Sequence, residues 1–136
     1  MAEAARDGGS GDPVLAQKVN TCQYCGKAFS RASSLAVHVC EPKRRFQNRD
    51  DRAVQLGLRA FQRFFEYTQG PGRVKTADDF DSSPYYTACV KFGRYMIDVR
   101  CVNPPAFINF VIEKNKKLDR WATDSVYDEF ILDWCK

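Results

Sequence analysis

The chain has one histidine, His38, among 136 residues. An acid–base catalyst built on imidazole therefore has a single candidate, and any other use of that ring removes it. No apolar run approaches the ~20 residues a bilayer span needs, and residues 1–20 lack a signal-peptide core. The expectation is a soluble intracellular protein with no membrane partner. The chain has no glycine-rich phosphate loop, no nucleophile elbow and no internal repeat. Period-two alternation is absent outside the first third, which argues against a large sheet. These absences leave little room for catalysis, and we do not expect an enzyme.

What is present supports a packed core. Hydrophobic residues make up 44% and aromatics 13% of the chain, too much for a disordered one. The length allows one modest domain and a small module. The net charge of +4 is unevenly spread. Residues 1–20 carry net −1, residues 21–49 carry +5, and residues 50–136 are neutral with 13 charges of each sign. A local basic excess of this kind is the electrostatic footprint of a nucleic-acid contact; the bland alternative is a solvated basic linker.

Four metal-ligand side chains fall within residues 22–40: Cys22, Cys25, His38 and Cys40. Two cysteines three apart can grip one ion from a tight knuckle. Twelve residues separate Cys25 from His38, enough for a turn and a short helix that returns the imidazole to the same ion. His38 and Cys40 lie two apart, about 200° around a regular helix. They share an ion only if the helix ends near Val39, so the helix is expected over about 31–38, with Pro42 reinforcing the stop. The alternatives are a disulfide or a metal-free turn. A redox Cys-x-x-Cys is disfavoured because it lacks a strand–helix context.

Together with Phe29, Leu35 and the run Tyr24-Cys25-Gly26-Lys27-Ala28-Phe29, these residues resemble a zinc finger of the CCHH frame in a CCHC variant. The resemblance covers about 20 residues and implies one structural Zn2+ and a ββα unit. It departs from the family at the fourth ligand, where Pro42, Lys43 or Arg44 stands in place of a second histidine, so Cys40 is the only nearby donor. The resemblance further implies that Arg31, Ser33, Ser34 and Val37 face the bases of a bound duplex. Only Arg31 suits a guanine edge, and one finger covers only about three base pairs. Phosphate contacts by Lys27, Lys43, Arg44 and Arg45 would then dominate binding to DNA or RNA. CCHC variants also bind proteins, so an unidentified protein partner is the second expectation.

The rest of the chain reads as helices. Residues 1–19 form a flexible Gly/Ser/Ala-rich tail, 20–42 the finger, 43–50 a basic connector and 51–136 an all-helical domain, making the whole mainly α. Val54, Leu58, Phe61 and Phe65 recur at helical spacing, with Gly70-Pro71 closing that helix. Gly57 inside it signals a close helix approach. Thr76 and Asp79 fit a capping box around Phe80. Ser83-Pro84 reads as cap and first residue of a helix with the stripe Tyr85, Cys89, Phe92, Met96 and Val99. Asn103-Pro104-Pro105 opens another over 104–114 with Phe107, Ile108, Val111 and Ile112 inward. Leu118 and Trp121 fall in a short turn. Thr123 or Asp124 caps a last helix with Tyr127, Phe130, Ile131 and Trp134 apolar. The aromatics are expected to be core. Cys89, Cys101 and Cys135 are expected to act as small apolar residues.

With His38 spent on a metal whose coordination is filled, the only catalytic route left is a metal-dependent nuclease assembled from scattered carboxylates. Asp78, Asp79 and Asp81 read instead as a loop and turn cluster, and Asp124, Asp128 and Glu129 as a solvated helix face. The order of finger, Cys40-Glu41-Pro42-Lys43-Arg44-Arg45, long helix, Ser83-Pro84-Tyr85-Tyr86 and Lys117-Leu118-Asp119-Arg120-Trp121 resembles small finger proteins of large tailed bacteriophages. That resemblance implies a viral source and a host-cytoplasm setting, and carries no function of its own. The function expected from sequence is a nucleic-acid-binding accessory protein whose helical domain docks a replication or transcription partner. The alternative is a protein-interaction adaptor with a structural zinc.

Overall fold

The computed structural model describes residues 20–72 and 74–136, so the expected flexible tail, residues 1–19, lies outside the described residues. The chain divides into two compact units between Gln47 and Asn48. Among the described residues it is mainly helical, and no helix is long and apolar enough to cross a membrane.

The first unit starts with a knuckle. Thr21 and Ala28 form one antiparallel bridge, and Cys22 N–H donates to the Lys27 carbonyl at 2.8 Å while Gly26 N–H returns to that of Cys22 at 2.8 Å. Gly26 adopts φ 79°, a left-handed conformation that favours glycine. Among the described residues the expected ββ arm is a single bridge, with no strand. Phe29 N–H also donates to the Asn20 carbonyl at 2.9 Å.

Helix α1, Ala32–Val37, ends where the ligand spacing demands. His38 is extended, at ψ 131°, and its N–H caps the Leu35 carbonyl. The next residues differ from expectation. Helix α2 spans Glu41–Gln47, so most of the supposed connector is helical. Proline is tolerated in a first turn, where its missing N–H costs nothing. Glu41 also pairs with Arg44 and Arg45 at i+3 and i+4, both at 2.8 Å, which supports a short helix.

The second unit is five helices around a core in two clusters. Helix α3, Arg52–Gln69, is capped by the Asp51 carboxylate, which accepts from Ala53 N–H, and closed by Gly70 at φ 87°. Short α4, Ala77–Asp81, carries the expected reciprocal capping box between Thr76 and Asp79. Phe80 of α4 packs with Val54, Phe61, Tyr86 and Cys89. Helix α5, Tyr86–Asp98, makes the most extensive contact with α3. Helix α6, Pro104–Glu113, a 3-10 turn at Leu118–Arg120 and helix α7, Asp124–Trp134, complete the unit. The larger cluster joins Leu56 and Ala60 of α3, Phe92 and Met96 of α5, the apolar face of α6, Trp121, Val126 and Phe130.

One boundary and one burial differ from the sequence reading. Ser83 does not start α5. Its Oγ accepts from Tyr85 N–H and its carbonyl from Tyr86 N–H, making a turn that leads into the helix at Tyr86. Tyr86 is buried as a result, while Tyr85 remains 45% exposed. On α7, Val126 and Phe130 are buried, whereas Trp134 is 49% exposed, its ring centroid 5.8 Å from that of Phe130. Carboxylates expected at the surface are mostly engaged. Asp78 and Asp81 hold Arg49, Asp124 accepts from Tyr95 Oη and Glu129 pairs with Lys116.

Asn103 fixes the start of α6. Its side-chain oxygen accepts from Ala106 N–H at 3.1 Å, ahead of Pro104. Asn103→Ala should lower the unit's stability by about 1 kcal/mol, the usual worth of such a cap. A urea titration of the two chains would read this as a lower midpoint at unchanged slope; coincident midpoints would show the cap to be idle.

Candidate metal centre and its basic helix

The knuckle and the end of α1 bring four donors together. Cys22 and Cys25 come from the turn, His38 from the extended residue after α1, and Cys40 from the residue before α2. Their ligand atoms all lie within 4.8 Å of one another. Cys22 Sγ is 3.9 Å from Cys40 Sγ, and Cys25 Sγ is 3.4 Å from His38 Nε2. A tetrahedral zinc with Zn–S near 2.3 Å and Zn–N near 2.0 Å needs donors about 3.5–3.8 Å apart. The sulfurs are far beyond the ~2.05 Å of a disulfide bond, and all are free thiols. The cluster can thus hold a metal ion.

Backbone geometry favours thiolate at this site. Burial works against ionising Cys22, but the N–H groups of Cys25 and Tyr24 point at its sulfur, with help from the Cys25 and Cys40 side chains. Together they bring the thiol down to about 7. Cys40 moves the other way. Burial and the neighbouring sulfurs raise it, although its sulfur accepts from Lys43 N–H in the first turn of α2. A cation among these sulfurs would remove their mutual repulsion. Cys89 makes the contrast: burial alone pushes it up to about 12, as expected of an inert apolar thiol.

Among its described residues the first unit buries little apolar surface. Cys22 is the only buried side chain among its described residues, and neither helix contributes one. Phe29 and Leu35, expected as the finger's core pair, are half-buried, with the Phe29 ring 4.7 Å from the His38 ring. Modules this small with so little apolar burial are commonly stabilised by a bound metal.

The residues expected to contact nucleic acid are scattered around this frame. Arg31 and Ser33 are exposed and Ser34 half-buried on α1, where Val37 is 79% exposed. Lys27 lies 5.4 Å over the Phe29 ring. Lys43 Nζ donates to the His38 carbonyl at 2.8 Å, bracing the chain between the candidate ligands His38 and Cys40. Arg44 and Arg45 share Glu41, which their charge holds below the usual carboxylate range. Sequence reasoning missed Glu41 as their partner, although the i+3 and i+4 spacing was there to read. It also missed that Tyr24 of the knuckle meets Phe46 of α2, with ring centroids 5.1 Å apart.

Comparison with known proteins places the chain in no family: no family model, no curated protein and no solved structure matches it.

Proposed function

We propose that this protein is a zinc-organised nucleic-acid-binding module joined to a separate helical unit that docks a protein partner. The observation that carries this reading is the placement of α2. Its first turn hydrogen-bonds to the ligand Cys40, through Lys43 N–H to the sulfur and Arg44 N–H to the carbonyl. A helix of seven residues is marginal alone, so an ion at the four donors would fix the basic helix Lys43-Arg44-Arg45. Three thiols and one imidazole are a donor set that favours zinc and leave no open position for catalysis. The zinc would therefore be structural, and the finger resembles the CCHC variants in that respect.

Binding should rest on phosphate contacts. Arg44 and Arg45 must exchange Glu41 for phosphate. That exchange moderates affinity rather than preventing binding, because exposed ion pairs are worth only about 0–1 kcal/mol. The test is a fluorescence titration of the zinc-loaded chain against DNA and RNA across a salt series. Each lost phosphate contact should flatten the log–log salt slope by about 0.7 on a single strand or 0.9 on a duplex. Arg44→Ala with Arg45→Ala is cleaner than changing Lys43, which braces the His38 carbonyl. Affinity and slope unchanged in the double variant would remove this helix from the reading.

A second reading, a zinc-organised protein-docking module, is favoured by Val37 and Val39, which are 79% and 56% exposed on the same unit. An absence of nucleic-acid binding at low salt would select it.

A further inference from the structure

Phe46 is the only large aromatic on α2, and it directly follows Arg44 and Arg45. It is 44% exposed. Its ring is fixed by a contact with Tyr24 at 5.1 Å, tilted by 45°. Tyr24 belongs to the knuckle between Cys22 and Cys25, so the metal cluster positions both rings as well as the arginines. An exposed aromatic of this size costs free energy to leave in water.

The arrangement on α1 points away from duplex reading. The helix has six residues, and Arg31 lies before its first turn. Ser33 and Ser34 discriminate bases poorly, and the exposed Val37 offers no hydrogen bond. A duplex also keeps its base faces inside the stack, where Phe46 has nothing to meet. A single strand offers both a phosphate and an open π-face, and proteins that bind it pair cationic side chains with aromatic platforms. Arg45 directly precedes Phe46, about 100° around the helix and about 1.5 Å along it, whereas Arg44 lies about 200° away. Arg45 is therefore the cation placed to hold a phosphate next to a base on Phe46, and Arg44 would meet the backbone further along the strand.

We infer that Phe46, held by Tyr24 and next to Arg45 on the basic helix, is a base-stacking platform and that the unit takes single-stranded nucleic acid in preference to duplex. This rests on the nucleic-acid reading above and names its substrate class. Base stacking is sequence-tolerant, so the preference is for strand form rather than for a particular base.

The test uses the zinc-loaded full chain and a short oligonucleotide carrying 2-aminopurine, free or annealed to its complement. The single strand should bind at least about tenfold tighter than the duplex, with quenching of the 2-aminopurine emission on stacking. Phe46→Leu keeps an apolar body against Tyr24 but has no π-face. It should lose about tenfold in single-strand affinity and most of the quenching, while Phe46→Trp should restore both. Zinc stoichiometry of each variant confirms an intact unit. Equal or tighter duplex binding by the unaltered chain overturns the inference, and needs no variant to fold. Full affinity and quenching in Phe46→Leu also overturn it. If the unaltered chain binds neither form at low salt, the nucleic-acid reading itself falls, and this inference with it.

Discussion

Cys22→Ser should abolish stoichiometric zinc binding and unfold the first unit while the second keeps its own cooperative transition. Cys22 is the one buried side chain among the described residues of that unit, and it sits within 4.8 Å of the other three donors. A serine hydroxyl is a far weaker ligand than a thiolate at neutral pH. Structural zinc contributes on the order of 10 kcal/mol to folding such modules, and the knuckle has no apolar core to replace it. The two short helices hold 13 of the 70 α-helical residues described. Helical circular dichroism should therefore fall by about a fifth, and the thermal transition of the α3–α7 unit should stay near that of the parent chain. Removing zinc from the parent with a chelator should reproduce the same spectrum. Collapse of the whole helical signal would show that the two units fold as one. An unchanged zinc content would remove Cys22 from the ligand set.

The metal cluster was legible because its chemistry is local. Ligand types and spacing put Cys22, Cys25, His38 and Cys40 together, and the i, i+2 problem of His38 and Cys40 required the break that the extended His38 supplies. The capping box at Thr76, the Asn103 cap and the closure at Gly70 were legible for the same reason: each is settled by three or four adjacent residues. The misses have two physical sources. The break near Val39 that Pro42 reinforces is present, but a first-turn proline also fits the start of a new helix, so the segment expected as a basic connector is largely α2. Two further misses depend on residues distant in sequence. Tyr86 rather than Tyr85 enters the core because the Ser83 turn delays α5 and rotates its face. Phe46 meets Tyr24 across 22 positions of chain, which no periodicity shows. The pairing of Arg44 and Arg45 with Glu41 is a local miss: Glu41 is already counted in the net +5 of residues 21–49, but a charge count does not show which side chains pair.

Gly93→Ala should be the most destabilising single-methyl change in the helical unit. Gly57 was singled out in the sequence as a sign of close packing, and its counterpart on the facing helix is Gly93. A Cβ at Gly93 would lie 2.2 Å from the Ala53 carbonyl oxygen and 3.1 Å from Gly57 N. A Cβ at Gly57 would lie 2.8 Å from the Cys89 carbonyl oxygen. These neighbours are backbone atoms of α3 and α5, so no side-chain rotation relieves the overlap. The helices must part by about an ångström, along the most extensive contact in the unit. Alanine returns about 1 kcal/mol of helix propensity, but overpacking of this kind costs about 3 kcal/mol or more. The net loss of about 2 kcal/mol or more corresponds to a fall in melting temperature of roughly 10 °C for a unit this size. Gly57→Ala should fall less, because its overlap is smaller. Gly72→Ala should be neutral or slightly stabilising, since nothing lies within 4 Å of a Cβ there. Thermal melts of the three variants should rank Gly93, Gly57, Gly72 from lowest to highest. A Gly93→Ala chain as stable as its parent would mean that α3 and α5 do not cross backbone to backbone, and the two core clusters flanking that crossing would have to be redrawn.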